Sequence, residues 1–138
     1  MPRGERAHES LRPVPNDCLE IRTDPHRGRG VFALAPIAAG TLIEAAPVII
    51  VPPAQCGSLD LTILHDYYFR WVDAPENGGS GAVALGLVSL CNHARRPTAR
   101  VRRNHARETL DLLALRSIAA GDEITIDYNC PLWFEPQD

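Results

Sequence analysis

Apolar and polar positions alternate from Cys18 to Arg22, the period of a strand with one buried face. Thr23 to Gly28 supplies turn residues, and Val31 to Leu34 reads as a second strand. Ala39-Gly40 marks a tight turn before a strand over Thr41 to Glu44, and Val48 to Val51 is a further, wholly apolar strand. Pro47, Pro52 and Pro53 bracket that strand, and because proline removes a ladder donor these positions are expected at strand ends and edges. Leu59 to Val72 is the best helical or irregular segment: Ser58 offers an N-cap, and Leu61, Leu64, Tyr68 and Trp71 recur at three- and four-residue spacing, predicting a core-facing stripe. Asp73 to Gly81 is a loop by composition, and Ala82 to Leu90 is apolar between glycine-flanked turns. Ala99 to Arg103 is predicted to pair with Thr109 to Leu115 across Asn104 to Glu108, and Glu123 to Tyr128 is the last strand, with Ile124, Ile126 and Tyr128 on one face. Many short strands joined by turns, with little helix, predict a compact, mostly β domain.

Pro36 to Ile43 and Ser117 to Ile124 resemble each other: an isoleucine, a turn at Ala-Ala-Gly, then a new strand. Two occurrences are too few for a repeat architecture and are read as two similar β-turns.

At 138 residues the chain suits one hydrophobic core. Residues 1–17 are polar, rich in Pro and Arg and without period, and are expected to form a flexible arm; residues 18–138 form the single domain. No apolar run approaches the roughly 20 residues that span a bilayer, and Met1 to Asp17 lacks the apolar stretch of a signal peptide, so no membrane partner and a cytoplasmic location are expected. Cys18, Cys56, Cys91 and Cys130 stand singly, without the close spacing of zinc knuckles or disulfide frameworks, and are read as reduced thiols. The net charge of -3 gives no reason to expect direct nucleic-acid binding. Six arginines nevertheless crowd Arg95 to Arg107, read first as a solvated hairpin edge and second as an anionic docking surface. The chain contains no lysine, which excludes Schiff-base and phosphate-loop lysine chemistry.

Three motifs carry candidate chemistry. Arg27-Gly28-Arg29-Gly30-Val31-Phe32 opens a strand with glycines that let a ligand approach the bare backbone. Asn92-His93 follows an apolar segment, where an amide and an imidazole can bond a ligand or satisfy local backbone. Glu123 to Tyr128 ends an apolar strand face on a phenol. Each alone is common. Cys91 beside His93 makes a poor thiol-protease pair, because a nucleophile needs its base across a cleft.

Together and in this order, with Pro97 after Asn92-His93 and Ile118 to Tyr128 as the last block, the motifs resemble the SET methyltransferase family over roughly residues 18–134. Leu64 to Phe69, Ala84-Leu85-Gly86 and Trp133 are most similar to the short free-standing SET proteins of bacteria and large DNA viruses. The resemblance implies the SET β-clip fold of small sheets, with few short helices and a knot-like C-terminal segment. It also implies S-adenosyl-L-methionine as cofactor and a protein carrying a lysine as substrate. By the same resemblance the backbone of Gly28, Arg29 and Gly30 holds the methionine part of the cofactor, Asn92 and His93 contact its adenosine, and Trp133 lies against the adenine. Tyr67 flanks the methyl donor and Tyr128 is the catalytic tyrosine, more a positioner than a base. Homodimers are expected from the short viral members. Where the family continues Asn-His-Ser and later Pro-Asn, this chain has Ala94 and Thr98, each expected to lose a polar partner. The cysteine-rich segment that binds zinc after the SET domain in larger members is absent, so no metal is expected. The rival reading is a SET-like module that binds peptide or cofactor without turnover.

Overall fold

The computed structural model describes residues 12–127, apart from 27, 75 and 77. Two sheets enclose the core. The first has the order β1 (Leu19–Asp24), β2 (Gly28–Ala33), β9 (Glu123–Ile126), β6 (Asn92–His93). The second has the order β4 (Phe69–Val72), β5 (Ser80–Ala84), β3 (Leu42–Val51), β8 (Thr109–Ala114), β7 (Ala99–Asn104). Among the described residues the helical elements are α1 (Pro53–Leu59) and the 3-10 turns η1 (Asn16–Cys18), η2 (Ile63–Asp66) and η3 (Leu87–Leu90). The mostly β class and small sheets agree with the sequence. Val31, Ile43, Val88, Leu110, Leu112, Ile118, Ile124 and Ile126 fill the centre, each almost fully buried; most come from the strands, while Val88 comes from η3 and Ile118 from the turn before β9. Within residues 12–17, the Val14 N–H bonds the Leu42 carbonyl at 3.2 Å and its side chain packs against this core.

The two similar Ala-Ala-Gly turns meet. Ile37 and Ile118 exchange backbone hydrogen bonds, both at 2.8 Å. Gly40 N–H bonds Ala114 O as Gly121 N–H bonds Ala33 O, and Ala114 N–H bonds Thr41 O as Ala33 N–H bonds Asp122 O. Both glycines adopt positive φ, +83° and +93°, which a side chain would strain. Each turn follows an antiparallel hairpin, β1-β2 or β7-β8, and each then sends its outgoing strand to the other hairpin: β3 pairs with β8, and β9 pairs with β2. The similarity in sequence thus marks two equivalent units that exchange their third strands.

Two local expectations are corrected. The helix lies over 53–59, not from 59 onward: Pro53 occupies its first turn, where a missing N–H costs nothing. Ser58 lies near its end, and Thr62 rather than Ser58 caps the following turn, its hydroxyl accepting from the Leu64 N–H at 3.1 Å. Leu61 is 88 % exposed, and Phe69 and Trp71 are buried by the two-residue period of β4, which overrides the three- and four-residue spacing. The second correction concerns Pro47, which lies inside β3, not at an end. Leu42 to Pro47 pair with β8 and Val48 to Val51 with β5, so Pro47 stands where the strand changes partner, and its carbonyl accepts from Leu85 N–H at 2.8 Å.

Candidate active site

β9 runs antiparallel to β2 and parallel to β6, with Phe32 opposite Glu123 and Asn92 opposite Thr125. That pairing brings three motifs distant in sequence to one sheet face. The Asn92 side chain closes the contact: Nδ2 donates to the Arg29 carbonyl at 3.0 Å and to Glu123 Oε2 at 2.8 Å. Gly30 is what makes room, since a Cβ there would stand 2.6 Å from Glu123 Oε2 and 2.9 Å from Asn92 Nδ2. Gly28, the first residue of β2, has φ +78° and open space where a side chain would be. The two glycines therefore serve different ends, one a turn and an open approach, the other a close packing.

His93 is half-buried, with Nδ1 3.4 Å from Asp127 Oδ1. The following loop fastens β9 from the backbone: Ala94 N–H bonds Ile126 O at 2.9 Å. Thr98 does more than was expected of it. Its hydroxyl donates to Glu123 O and accepts from Thr125 N–H, both at 3.0 Å, and its own N–H reaches Thr125 Oγ1 at 3.1 Å. Thr98 thus has polar partners of its own, all in β9.

Glu44, in the otherwise apolar β3, is a participant that the sequence reading missed. Its two oxygens accept the N–H groups of Leu87 and Val88 at 2.7 and 2.8 Å, capping η3, the turn that leads into Asn92. Gly86 is fixed by the same carboxylate, because a Cβ there would lie 2.7 Å from Glu44 Oε2. Cys91 lies fully buried, and burial pushes its thiol pKa far up, with the charges of Glu44 and Glu123 adding to the effect. It is no nucleophile.

Tyr67 ends η2 and is exposed, on a different element from the Asn92 cluster. The neighbouring Tyr68, not Tyr67, lines a cavity of about 570 Å³ with Cys56, Asp60, His65 and Gly79. There the Tyr68 hydroxyl donates to Asp60 Oδ1 at 2.7 Å, and His65 Nδ1 lies 3.1 Å from the same oxygen. Desolvation first, then the Asp60 carboxylate, push Tyr68 up to about 12; the two hydrogen bonds hold Asp60 below, and the Asp60 partner holds His65 above, their ordinary values. Tyr128 and Trp133, with most of the C-terminal passage, lie outside the described residues. Among the described residues no cluster of His, Cys, Asp or Glu could hold a metal, and no helix is long and apolar enough to cross a membrane.

Residues 28–129, which hold the Asn92 contact and both glycines, match the SET domain family. The chain belongs to the SET-domain family. It is 36% identical over 126 residues to the H3 lysine-37 specific histone-lysine N-methyltransferase of Schizosaccharomyces pombe, covering 91% of this chain and 82% of that protein. A Plasmodium falciparum protein assigned as a histone methyltransferase superposes with a TM-score of 0.60 at 25% identity, over 84% of this chain and 96% of the other. A Chaetomium thermophilum Polycomb Repressive Complex 2, in a humanized form bound to the inhibitor GSK126, shares the fold over 80% of this chain and 15% of that one, with a TM-score of 0.63 and 16% identity. Family and relative make this SET domain a protein-lysine N-methyltransferase. SET methyltransferases as a family take their methyl group from S-adenosylmethionine.

Proposed function

We propose that this SET domain binds S-adenosyl-L-methionine at the Gly28 to Gly30 edge of β2 and methylates the side-chain amine of a histone lysine. The observation that carries the reading is the double hydrogen bond of Asn92 Nδ2 to Arg29 O and Glu123 Oε2, which draws the three motifs into one place. The histone acceptor rests on the name of the fission-yeast relative.

The residues suit such a cofactor. Gly28 leaves the backbone open to close approach, while Asn92 and His93 present an amide and an imidazole on adjacent positions of β6. Glu123 and Asp127 stand behind them, so the donor set carries negative charge, which favours a cationic sulfonium. Arg29 and the two glycines would hold the methionine portion, Asn92 and His93 the adenosine, and Trp133 the adenine. The cofactor supplies an electrophilic methyl group when bound.

Tyr67 and Tyr128 are assigned to the lysine channel. The acceptor amine must be neutral, and its ordinary pKa near 10.4 falls in an apolar channel that disfavours the ammonium form. The Tyr128 oxygen would orient the reacting groups; contacts from C-H to oxygen contribute only about 0.5 to 1 kcal/mol each, so preorganisation must supply most of the effect.

Calorimetric titration with S-adenosylmethionine, followed by incubation with tritium-labelled cofactor and recombinant histone H3, tests both parts. Because the chain has no lysine, a labelled lysine must belong to the acceptor. Label on an H3 lysine is the expected result. Cofactor binding with no label on H3 would remove the histone, and failure to bind would remove the cofactor assignments.

A further inference from the structure

The crowded arginines do not act as one surface. Arg103 turns inward, donating from Nη1 to Trp71 O at 3.1 Å and lying 3.8 Å from Asp73 Oδ2. Arg95 and Arg96 are exposed on the loop after β6. Arg102 and Arg107 instead meet Arg12, from the segment before η1, around a cavity of about 390 Å³ floored by Leu42 and Ala45 of β3. It shares no residue with the Asn92 cluster.

The charge in this cavity is uneven. Asp111 is its one acidic lining residue, 3 % exposed, and its carboxylate is already taken by Arg102 Nη2 at 2.9 Å, Asn104 Nδ2 at 3.2 Å and Thr109 Oγ1 at 2.8 Å. Neither Arg12 nor Arg107 has a carboxylate partner among the described residues. Three guanidinium groups against one carboxylate leave two positive charges in a concave site, on a chain whose net charge is -3. The site is also held in shape: Asn104 Oδ1 accepts the Arg107 N–H at 3.1 Å, fixing the hairpin turn from which Arg107 projects.

We propose that this cavity binds a phosphate monoester dianion, free or carried on a protein side chain. A monoester brings about two negative charges near neutral pH and three acceptor oxygens, which matches the uncompensated pair of guanidinium groups; a carboxylate brings one. Nucleic-acid phosphodiesters carry one charge each, and a duplex is too wide to seat in a hollow of about 390 Å³.

The test is titration with inorganic phosphate at ionic strength held constant with sodium chloride, read by calorimetry and by backbone amide shifts of residues 102–111. Arg12→Gln and Arg107→Gln are the informative variants; Arg102 is left in place because its loss would strand the buried Asp111 carboxylate. Saturable binding is expected, weakened about tenfold or more by either variant through loss of a charge-assisted hydrogen bond. It should also weaken as pH falls below about 6 and the dianion takes up a proton. A phosphoserine peptide that binds more tightly than inorganic phosphate would identify a protein-borne source, and one that binds less tightly a free one. Absence of saturable binding at matched ionic strength, or an affinity unchanged from the unsubstituted chain in both variants, would overturn the site, as would binding of a short DNA duplex in place of phosphate.

Discussion

Asn92 and Glu123 are joined side chain to side chain at 2.8 Å, and the same Asn92 nitrogen reaches the Arg29 carbonyl. Glu123→Ala removes the acceptor and leaves a half-buried amide donor with one partner. A stability loss of about 1–3 kcal/mol is expected in urea unfolding, together with weaker binding of S-adenosylmethionine by calorimetry. Unchanged cofactor affinity would separate this contact from the binding site.

Gly30 and Gly28 should respond differently to alanine. At Gly30 the new Cβ collides with Glu123, so Gly30→Ala should destabilise by about 1–3 kcal/mol, and less in a Glu123→Ala background. At Gly28 no atom lies within 4 Å, and the cost should be the backbone strain alone, about 1–2 kcal/mol, with no coupling to Glu123. A double-mutant cycle measured by denaturation checks both statements.

Glu44 acts on the site through η3. Glu44→Ala frees two backbone N–H groups at once, and a loss of about 2 kcal/mol or more is expected. Amide exchange should accelerate at Leu87 and Val88 before it does in β8, whose ladder to β7 is untouched. Equal acceleration in both would refute a local role.

The Asp60, His65 and Tyr68 network gives a pH dependence with a defined sign. Asp60 sits below its ordinary value, so its contribution to stability is present above the unfolded value of 3.8 and is lost as pH falls through the depressed one. His65 is raised, so its contribution is complete below the unfolded value of 6.5 and disappears as pH rises through the elevated one. Tyr68, raised to about 12, loses its contribution as pH climbs from 10. Asp60→Asn should return His65 toward 6.5 in an NMR titration and lower the pH at which Tyr68 ionises, read by absorbance at 295 nm. A His65 titration that stays raised in Asp60→Asn would remove Asp60 as its cause.

The β7-β8 hairpin was legible because its alternation and its turn residues are local signals that agree, and the observed register joins Ala99 to Ala114 and Asn104 to Thr109. The 59–72 stretch misled because Leu61, Leu64, Tyr68 and Trp71 also fit a helical period, while the partner strand that makes β4 a strand lies outside the window. Motif order led to the cluster around Asn92, but Glu44 could not be assigned there: its partners lie 43 and 44 residues away, and its only local sign is a lone acid among apolar neighbours. Thr98 was misjudged because comparison by residue type counts polar groups and does not show where a hydroxyl lies between two backbone groups of β9.

The exchange of third strands governs how the chain must fold. β2 cannot complete its ladder until β9 has been made, and the first half of β3, Leu42 to Pro47, finds its partner in β8, so neither unit closes on itself. Both hairpins are cheap local structures that can form early, yet the core they line is sealed by pairings across most of the chain, which carry a large loop-closure cost and make folding slow. A nascent chain released before Ile126 would hold a formed β1-β2 hairpin with its Val31 face uncovered, exposed to aggregation until the last strand arrives.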